Sequence, residues 1–467
     1  MRRLNLSFFT ALSFVLFAVS APAQSQLTAD VAEKIDKLAG ETLTRTGVPS
    51  ASIAVVRDGQ IVYVKAYGDA KLEPKTPATA AMRYSIGSIS KQFTALAILL
   101  LQEQGKLSLD DKVGKYIPDL TRANEVTIRQ LLSHTSGYQD YWPQDYVMKP
   151  MLSPTTAQKI METWAKKPLD FEPGTKWQYS NTNYVIAGAI VEKAARMPIF
   201  RFMQQKIFTP LGMKSVMSID EGRLTEGDPT GYKRYALGPL RVAPKEGKGW
   251  LFAAGELAMT PEDLAKWNVS IIEGKLMKPG SYLELGREVL LENGVGTNYG
   301  LGVSVGMPNG RHALSHGGEV SGFTSQSIVF PEDRVAVVVL TNQDAASAAG
   351  PIASGIPPLL FATNDSATAA KLEQAKKIFE GLQQGTIDRS LFTENANGYF
   401  DEQALEDFKN SLGPLGKPES FTQLSQNLRG GMTGRFYLVR LAQKTLRAWT
   451  YEMPDGKLEQ FQVAVQN

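Results

Sequence analysis

The 467-residue sequence contains no cysteine and only three histidines. Without cysteine, the chain has no disulfide bond, no thiol nucleophile and no lipid anchor attached through a thiol. Of His134, His312 and His316, only the last two are close in sequence, and the Ala-Leu-Ser between them supplies no metal ligand. We therefore predict neither a metal site nor a cofactor.

The chain also has little net charge. Fifty Lys and Arg residues stand against 47 Asp and Glu residues, and the basic residues are scattered rather than clustered. This pattern gives no indication of binding to nucleic acid or to an anionic membrane surface. We expect a small-molecule or peptide-like substrate, and the sequence does not identify a protein partner.

Long apolar runs are absent except at the N-terminus. Residues 6–19 are apolar, follow Arg2 and Arg3, and precede the small residues Ala21-Pro22-Ala23. This is the pattern of a cleaved export signal, and the run is too short to span a bilayer; the alternative is a buried N-terminal helix. We predict a signal peptide over residues 1–23 and a periplasmic or secreted protein without a membrane span after its removal.

Hydrophobic periodicity predicts one sheet that takes strands from both ends of residues 24–362, with helices inserted between them. Asp58-Gly59 is a strong hairpin signal between the first two strands. The predicted helices are residues 27–46, 90–105 and 345–361, and the predicted strands are residues 51–56, 61–67, 325–330 and 335–341.

A small polar segment, residues 363–368, is predicted to be a linker. The remaining residues, 369–467, show a helical pattern first and then alternating strands, which predicts a separate small α+β domain. It contains no histidine and no glycine-rich phosphate loop.

Ser88-Ile89-Ser90-Lys91 fits the S-x-x-K pattern. With Ser88 at the start of a helix, Lys91 lies one turn later on the same face, within reach of the hydroxyl. A buried lysine with a lowered pKa can remove the serine proton. The structural alternatives are a helix-capping serine and a solvated lysine.

Two further patterns follow in the chain. Tyr179-Ser180-Asn181 comes after a Pro173-Gly174 turn and before a predicted helix, and Ser315-His316-Gly317-Gly318 precedes a strand-like stretch. Paired glycines let a backbone edge approach a ligand closely and offer it an N–H group. Taken singly, the tyrosine could be a packed side chain and the glycines a turn.

In this order and at these separations, the three motifs resemble the class C β-lactamase and penicillin-binding serine hydrolase family. The resemblance covers roughly residues 27–362 and includes Leu131-Leu132-Ser133-His134-Thr135-Ser136-Gly137. It implies a β-lactamase/transpeptidase-like fold of the α/β + α class: an antiparallel sheet flanked by helices, plus a helical domain, with the site between them. Residues 369–467 loosely resemble cystatin-like or nuclear-transport-factor-like α+β rolls.

The resemblance also implies roles for the motif residues. Ser88 corresponds to the acylated serine, Lys91 to its proton partner, and Tyr179 to a tyrosine that shares the base role with its phenol pKa held down by the neighbouring cation. Asn181 corresponds to the residue that hydrogen-bonds the substrate amide or ester. His134 is expected to brace the helical domain.

The third motif departs from the family. His316, Gly317 and Gly318 stand where many members carry Lys-Thr-Gly, and the implied oxyanion hole is formed by the backbone N–H groups of Ser88 and Glu319. A lysine supplies a fixed charge for a substrate carboxylate, whereas histidine supplies it only in part near neutral pH. We therefore expect esters or D-amino-acid amides as substrates and only weak β-lactam hydrolysis.

Two other functions fit the same residues. The first is a penicillin-recognising binding or sensor protein that is acylated without turnover. The second is a pseudoenzyme whose C-terminal domain binds a partner, although the intact motifs argue against it.

Overall fold

The computed structural model describes residues 27–346, 348–361 and 366–466. The predicted signal peptide, residues 1–23, lies outside these ranges, as do residues 363–365 of the predicted linker. Within them, no helix combines the length and the apolar character needed to cross a membrane.

The first part of the chain, through Phe361, contains nine α-helices and twelve strands in the described residues. In chain order these are α1 (Ala29–Thr46), β1 (Ser50–Arg57), β2 (Gln60–Leu72), β3 (Lys75–Pro77), β4 (Tyr84–Ser85), α2 (Ser90–Glu103), α3 (Ile128–Leu132), α4 (Ala157–Ile160), α5 (Asn181–Ala195), α6 (Ile199–Met203), β5 (Met217–Ser218), β6 (Tyr232–Lys233), β7 (Arg241–Val242), β8 (Leu257–Met259), α7 (Pro261–Glu273), α8 (Pro279–Gly286), β9 (Ser304–Gly306), β10 (Ala313–Val320), β11 (Phe323–Phe330), β12 (Val335–Thr341) and α9 (Ala349–Phe361).

Seven of these strands form one antiparallel sheet in the order β3-β2-β1-β12-β11-β10-β9. Its centre pairs β1, from the start of the chain, with β12, from the end of the domain. The sequence prediction of one sheet built from both ends is confirmed. The β1–β2 hairpin turns at Asp58 (φ 53°) and Gly59 (φ 74°), the two positive φ angles of a type I′ turn.

Helices cover both faces of the sheet. Side chains alternate along β12, so that Ala336, Val338 and Leu340 join one apolar core while Val337 and Val339 join another. The second core includes α1 and α9, and the first, larger core includes the helical insertion. Because both faces are covered, every residue of β12 is buried.

Helix α2 lies at the centre of the larger core, and its residues from Ser90 to Leu101 are all buried. Its polar side chains have partners in the segment before α7: Ser90 Oγ accepts from Leu257 N (3.1 Å), and Thr94 Oγ1 donates to Ala253 O (2.7 Å). These bonds fix residues 253–257 against the first turns of α2.

Residues 366–466 form a second unit with its own apolar core. Its elements are α10 (Ser366–Gln383), α11 (Glu394–Tyr399), α12 (Glu402–Leu412), β13 (Ser420–Arg429), β14 (Met432–Arg440), β15 (Thr445–Glu452) and β16 (Leu458–Val465). The four strands pair antiparallel in sequence order, which confirms the predicted α+β arrangement. Helix α10 begins at Ser366, within the segment predicted to be a linker.

Candidate active site

Ser88 lies in a single turn of 3₁₀ helix, Gly87–Ile89, directly before α2. The sequence prediction placed it in the first turn of the helix itself. The turn requires glycine at position 87, where φ is 51° and an added Cβ would lie 2.7 Å from the Glu319 backbone nitrogen. The serine turn therefore packs directly against strand β10.

Lys91 is completely buried beside Ser88, with Nζ 3.0 Å from Ser88 Oγ. Nζ also donates to Asn181 Oδ1 (2.8 Å) and to the carbonyl oxygen of Ala254 (2.8 Å). Burial lowers the pKa of Lys91 to about 7, and the charge of Asp140 opposes part of that shift. The amine is thus partly neutral near pH 7.

The two acceptors around Lys91 determine where its lone pair points. A neutral amine has two N–H groups and one lone pair, and the oxygens of Asn181 and Ala254 can only accept. The remaining neighbour, the Ser88 hydroxyl, can donate to the lone pair. This arrangement lets Lys91 remove the serine proton.

Tyr179 is partly exposed, and its ring lies near the Lys91 amine. Lys91 Nζ is 4.9 Å from the centre of the Tyr179 ring. Burial raises the pKa of the phenol well above its usual range, and a hydrogen bond with Ser88 offsets only part of that shift. The expectation of a lowered Tyr179 pKa is wrong, because the cation lies over the ring and loss of hydration dominates at the hydroxyl.

Asn181 begins helix α5 and connects Lys91 to a carboxylate. Its backbone N–H donates to Asp140 Oδ1 (2.9 Å) and its Nδ2 donates to Asp140 Oδ2 (3.3 Å), which leaves Oδ1 facing Lys91. The Asn181 side chain is therefore oriented toward the lysine. Burial raises the pKa of Asp140, and the hydrogen bonds from Trp142 and Asn181 lower it in part.

His316 lies inside strand β10 and points inward, whereas the sequence analysis placed its motif before a strand. Nδ1 faces the carbonyl oxygen of Gly317, which can only accept, so Nδ1 carries the proton. Nε2 then accepts from the Tyr299 hydroxyl at 2.8 Å. Burial, together with the charge of Lys91, lowers the pKa of His316 to about 4.

The glycines after His316 allow β10 to approach the serine turn. An added Cβ at Gly318 would lie 1.9 Å from the Ile86 carbonyl oxygen, so only glycine fits. Strand β9 pairs only with Ala313–Ser315, so among the residues that the structure describes no strand pairs with β10 on that side beyond Ser315. The backbone N–H of Glu319 therefore lies beside the Ser88 turn, where the resemblance implies an oxyanion hole.

His134 is fully buried and packs against Tyr179, with ring centres 4.3 Å apart and ring planes tilted by 35°. Its Nδ1 accepts from Ser180 N (3.2 Å), and burial lowers its pKa well below the usual range. A neutral His134 thus supports the position of Tyr179.

Sequence reasoning brought Ser88, Lys91, Tyr179, Asn181 and His316 into one site, and the structure places them together. It missed Asp140, Ala254 and Tyr299. Asp140 lies shortly after the His134–Gly137 motif and before Tyr179-Ser180-Asn181, so its carboxylate could have been considered a candidate site residue. Tyr299 and the Ala254 carbonyl carry no local signal, because only the fold brings them to the site.

Comparisons with known proteins bear on the family and the fold of this chain. The Beta-lactamase family profile matches residues 35–353. The protein flp of Staphylococcus aureus strain N315 is 27% identical over 336 residues, which cover 68% of this chain and 64% of flp, so the chain matches less than two thirds of that relative's length.

Two solved structures have the same fold. A penicillin-binding protein homologue from Pyrococcus abyssi, described as octameric, has a TM-score of 0.64 at 22% identity and covers 93% of this chain and 98% of its own. A D-amino acid amidase from Ochrobactrum anthropi SV3, solved with L-phenylalanine amide, has a TM-score of 0.60 at 25% identity and covers 71% of this chain and 97% of its own.

Proposed function

The chain belongs to the β-lactamase family and is a serine hydrolase, and we propose that it cleaves esters or small D-configured amides through an acyl-enzyme on Ser88. The observation that carries this proposal is the environment of Lys91. A lysine with a pKa of about 7 and its lone pair directed at Ser88 Oγ is suited to act as a general base.

In the proposed reaction, Lys91 takes the proton of Ser88 as Oγ attacks the substrate carbonyl carbon. The oxyanion that forms accepts hydrogen bonds from the backbone N–H groups of Ser88 and Glu319. The C–O or C–N bond to the leaving group then breaks, and the leaving group takes up the proton held by Lys91. The product of this half-reaction is an ester between the acyl group and Ser88.

Water completes the cycle. It attacks the acyl-enzyme carbonyl, loses its proton to neutral Lys91, and the proton returns to Ser88 Oγ as the acid leaves. The Tyr179 phenol remains protonated at neutral pH, so its proposed role is to donate a hydrogen bond beside Ser88 and to relay a proton without a lasting negative charge.

His316 supports the proposed preference against carboxylate-bearing β-lactams. With a pKa of about 4 it is neutral at pH 7, and both ring nitrogens are engaged by Gly317 and Tyr299. It therefore supplies no charge for a carboxylate, and β-lactam hydrolysis is proposed to be weak.

A substrate panel on purified protein tests the proposal. It contains a neutral p-nitrophenyl ester, a D-amino-acid amide and benzylpenicillin, with Ser88→Ala as the control for background hydrolysis. We expect turnover of the ester or the amide that is lost in Ser88→Ala. Stable labelling of Ser88 without turnover of any member would instead favour a penicillin-recognising sensor, and turnover retained in Ser88→Ala would reject the proposed nucleophile.

We also propose that the protein is exported to the periplasm or beyond. The support is the sequence of residues 1–23, with its basic start, its short apolar run and its small-residue cleavage site. Fractionation of cells that produce the full chain, with N-terminal sequencing of the product, tests this; a cytoplasmic product that retains residues 1–23 would reject it.

A further inference from the structure

Asp140 caps helix α5 from outside the helix. The backbone N–H of Asn181, the first residue of α5, donates to Asp140 Oδ1 at 2.9 Å, and the backbone N–H of Trp142 donates to the same oxygen at 3.1 Å. A carboxylate suits this place, because the first N–H groups of a helix have no partner within the helix and carry the positive end of its dipole. This capping alone would make Asp140 a structural residue.

The second carboxylate oxygen of Asp140 contacts a residue of the site. Asp140 Oδ2 accepts from Asn181 Nδ2 at 3.3 Å, and Asn181 Oδ1 in turn accepts from Lys91 Nζ at 2.8 Å. The three hydrogen bonds to Asp140 all come from N–H donors, which is the environment of an ionised carboxylate. Because an ionised carboxylate can only accept, it determines which end of the Asn181 amide faces Lys91.

The chain around Asp140 is held in place by bonds that do not involve its carboxylate. Thr182 Oγ1 donates to the carbonyl oxygen of Gln139 (2.6 Å) and accepts from the backbone N–H of Tyr141 (3.1 Å). These two bonds tie the residues on either side of Asp140 to the first turn of α5. A change at the carboxylate can therefore alter the Asn181 amide without displacing the chain that carries Asp140.

The carboxylate also supplies a charge beside Lys91. Four ionisable rings lie around the lysine amine: Tyr179, Tyr184, His134 and His316. Burial raises the pKa of both tyrosines well above the usual range, and burial together with the Lys91 charge lowers the pKa of both histidines, so all four rings are uncharged near pH 7. Among the described residues, Asp140 is thus the charged group that acts on Lys91, and it raises the lysine pKa against the larger effect of burial.

We propose that Asp140 is a positioning residue for the reaction, which directs the Lys91 lone pair at Ser88. Its carboxylate does so by holding the Asn181 amide with Oδ1 toward the lysine. The inference rests on the proposed roles of Ser88 and Lys91. With Asn181 Oδ1 and the Ala254 carbonyl as acceptors, both N–H groups of the neutral amine are used. If the Asn181 amide turned over, its Nδ2 would donate to the lone pair, and the amine would present an N–H to Ser88 instead.

Asp140→Asn tests this role with little change in shape. Asparagine caps helices as well as aspartate does, so the remaining side-chain oxygen keeps the two backbone N–H donors. The new amide nitrogen then faces Asn181 Nδ2. Two donors cannot bond to each other, so the Asn181 amide should turn over and occupy the Lys91 lone pair.

Two kinetic changes are expected in Asp140→Asn. For a neutral ester, kcat above pH 8 should fall about 10- to 100-fold, the order of loss for a displaced reacting group. The acidic limb of the kcat/KM profile should also move to lower pH by about one unit, because the charge that raises the Lys91 pKa is removed. A residue that only caps α5 would cause neither change.

Two control variants separate these effects from loss of structure or of surface charge. Thr182→Val removes both bonds between the same segments but leaves the carboxylate and the amide, so it should lower the midpoint of thermal unfolding and leave the acidic limb in place. Asp119→Asn removes an exposed carboxylate and should change neither kcat nor the limb. If Asp140→Asn does not fold, Asp140→Ser removes the same charge with a smaller side chain and should move the limb in the same direction.

A double-variant cycle tests whether Asp140 acts through Asn181. In Asn181→Ala there is no amide to hold, so adding Asp140→Asn should lower kcat by no more than about twofold. The shift of the acidic limb should remain, since the Asp140 charge acts on Lys91 directly.

Unchanged kcat or an unmoved acidic limb in Asp140→Asn would overturn the inference, as would a limb that moves as far in Thr182→Val. A loss of kcat as large in the Asn181→Ala background as in the wild type would also overturn it. If no ester or amide is turned over, the proposed hydrolysis fails, and the rate at which a fluorophosphonate labels Ser88 replaces kcat/KM; the same shift of the limb is then expected. A Ser88 that reacts with neither substrate nor probe would reject both proposals.

Discussion

The Tyr299 hydroxyl donates to His316 Nε2 at 2.8 Å, so a neighbouring side chain occupies the ring nitrogen of the residue that stands where many family members carry a lysine. The pKa of His316, about 4, lies far below neutral pH because the ring is buried and lies near Lys91. The structure thus strengthens the sequence argument: His316 carries no charge near neutral pH.

The first prediction concerns this residue. His316→Lys should raise the ratio of kcat/KM for benzylpenicillin to that for a neutral ester at pH 8 by about tenfold, because a charge-assisted hydrogen bond contributes about 1.5–3 kcal/mol. His316→Gln, which adds no charge, is the matched control and should not raise the ratio. In the wild type the ratio should stay low and flat from pH 6 to 8.5. A high wild-type ratio would show that His316 does not govern this specificity.

The second prediction is a pH profile. The reactive form of Lys91 is the neutral amine, and its pKa is about 7, so kcat/KM for a neutral ester should fall about tenfold for each pH unit below 7. Glu256 also has a pKa of about 7, so the profile is repeated with Glu256→Gln. We expect the acidic limb to remain in that variant. If the acidic limb disappears in Glu256→Gln, the ionisation belongs to Glu256 and not to Lys91.

The third prediction tests whether Lys91 and Tyr179 act as one unit. Lys91→Ala and Tyr179→Phe should each lower kcat by about 10²–10⁴-fold, the usual range for loss of acid–base assistance. The double variant should be little worse than the poorer single variant, because both residues serve the same proton transfer at Ser88. Fully additive losses would mean that the two side chains act in separate steps.

The fourth prediction links a buried carboxyl to stability. Glu256 is 3% exposed; burial raises its pKa to about 7, and the Ser218 hydroxyl donates to it at 2.6 Å. Its folded-state pKa exceeds the unfolded value of about 4.5, so the stability from the neutral carboxyl is present below pH 4.5 and is lost as the pH rises through 7.

Glu256→Gln keeps a neutral group at all pH values. The free energy of unfolding of Glu256→Gln minus that of the wild type should therefore be larger at pH 8 than at pH 5, by up to about 3 kcal/mol. Chemical denaturation at both pH values measures the difference, and the exposed Glu33→Gln is the matched control. Parallel pH dependence of Glu256→Gln and wild type would contradict the raised pKa.

The fold was largely predictable because its signals are local. The Asp58-Gly59 turn, the alternation along β12 and the periodicity of α2 each depend on neighbouring residues. The spacing of Ser88 and Lys91 is also local, because one helical turn brings them together.

The rest of the site depends on contacts between distant segments. The lone-pair direction of Lys91 needs Asn181 and the Ala254 carbonyl, which are 90 and 163 residues away. The raised pKa of Tyr179 comes from burial that no local pattern reveals, and the resemblance suggested the opposite direction.

The central claim is that Ser88 is the residue that becomes acylated. Reaction with a fluorophosphonate, followed by trypsin digestion and fragment mass spectrometry, tests it directly. Cleavage after Arg83 and Lys91 gives a peptide containing Ser85, Ser88 and Ser90, and in Lys91→Ala this peptide extends to Lys106. We predict a single adduct on Ser88 that forms more slowly in Lys91→Ala and is absent from Ser88→Ala. An adduct on Ser90 or elsewhere, or labelling that persists in Ser88→Ala, would contradict the account.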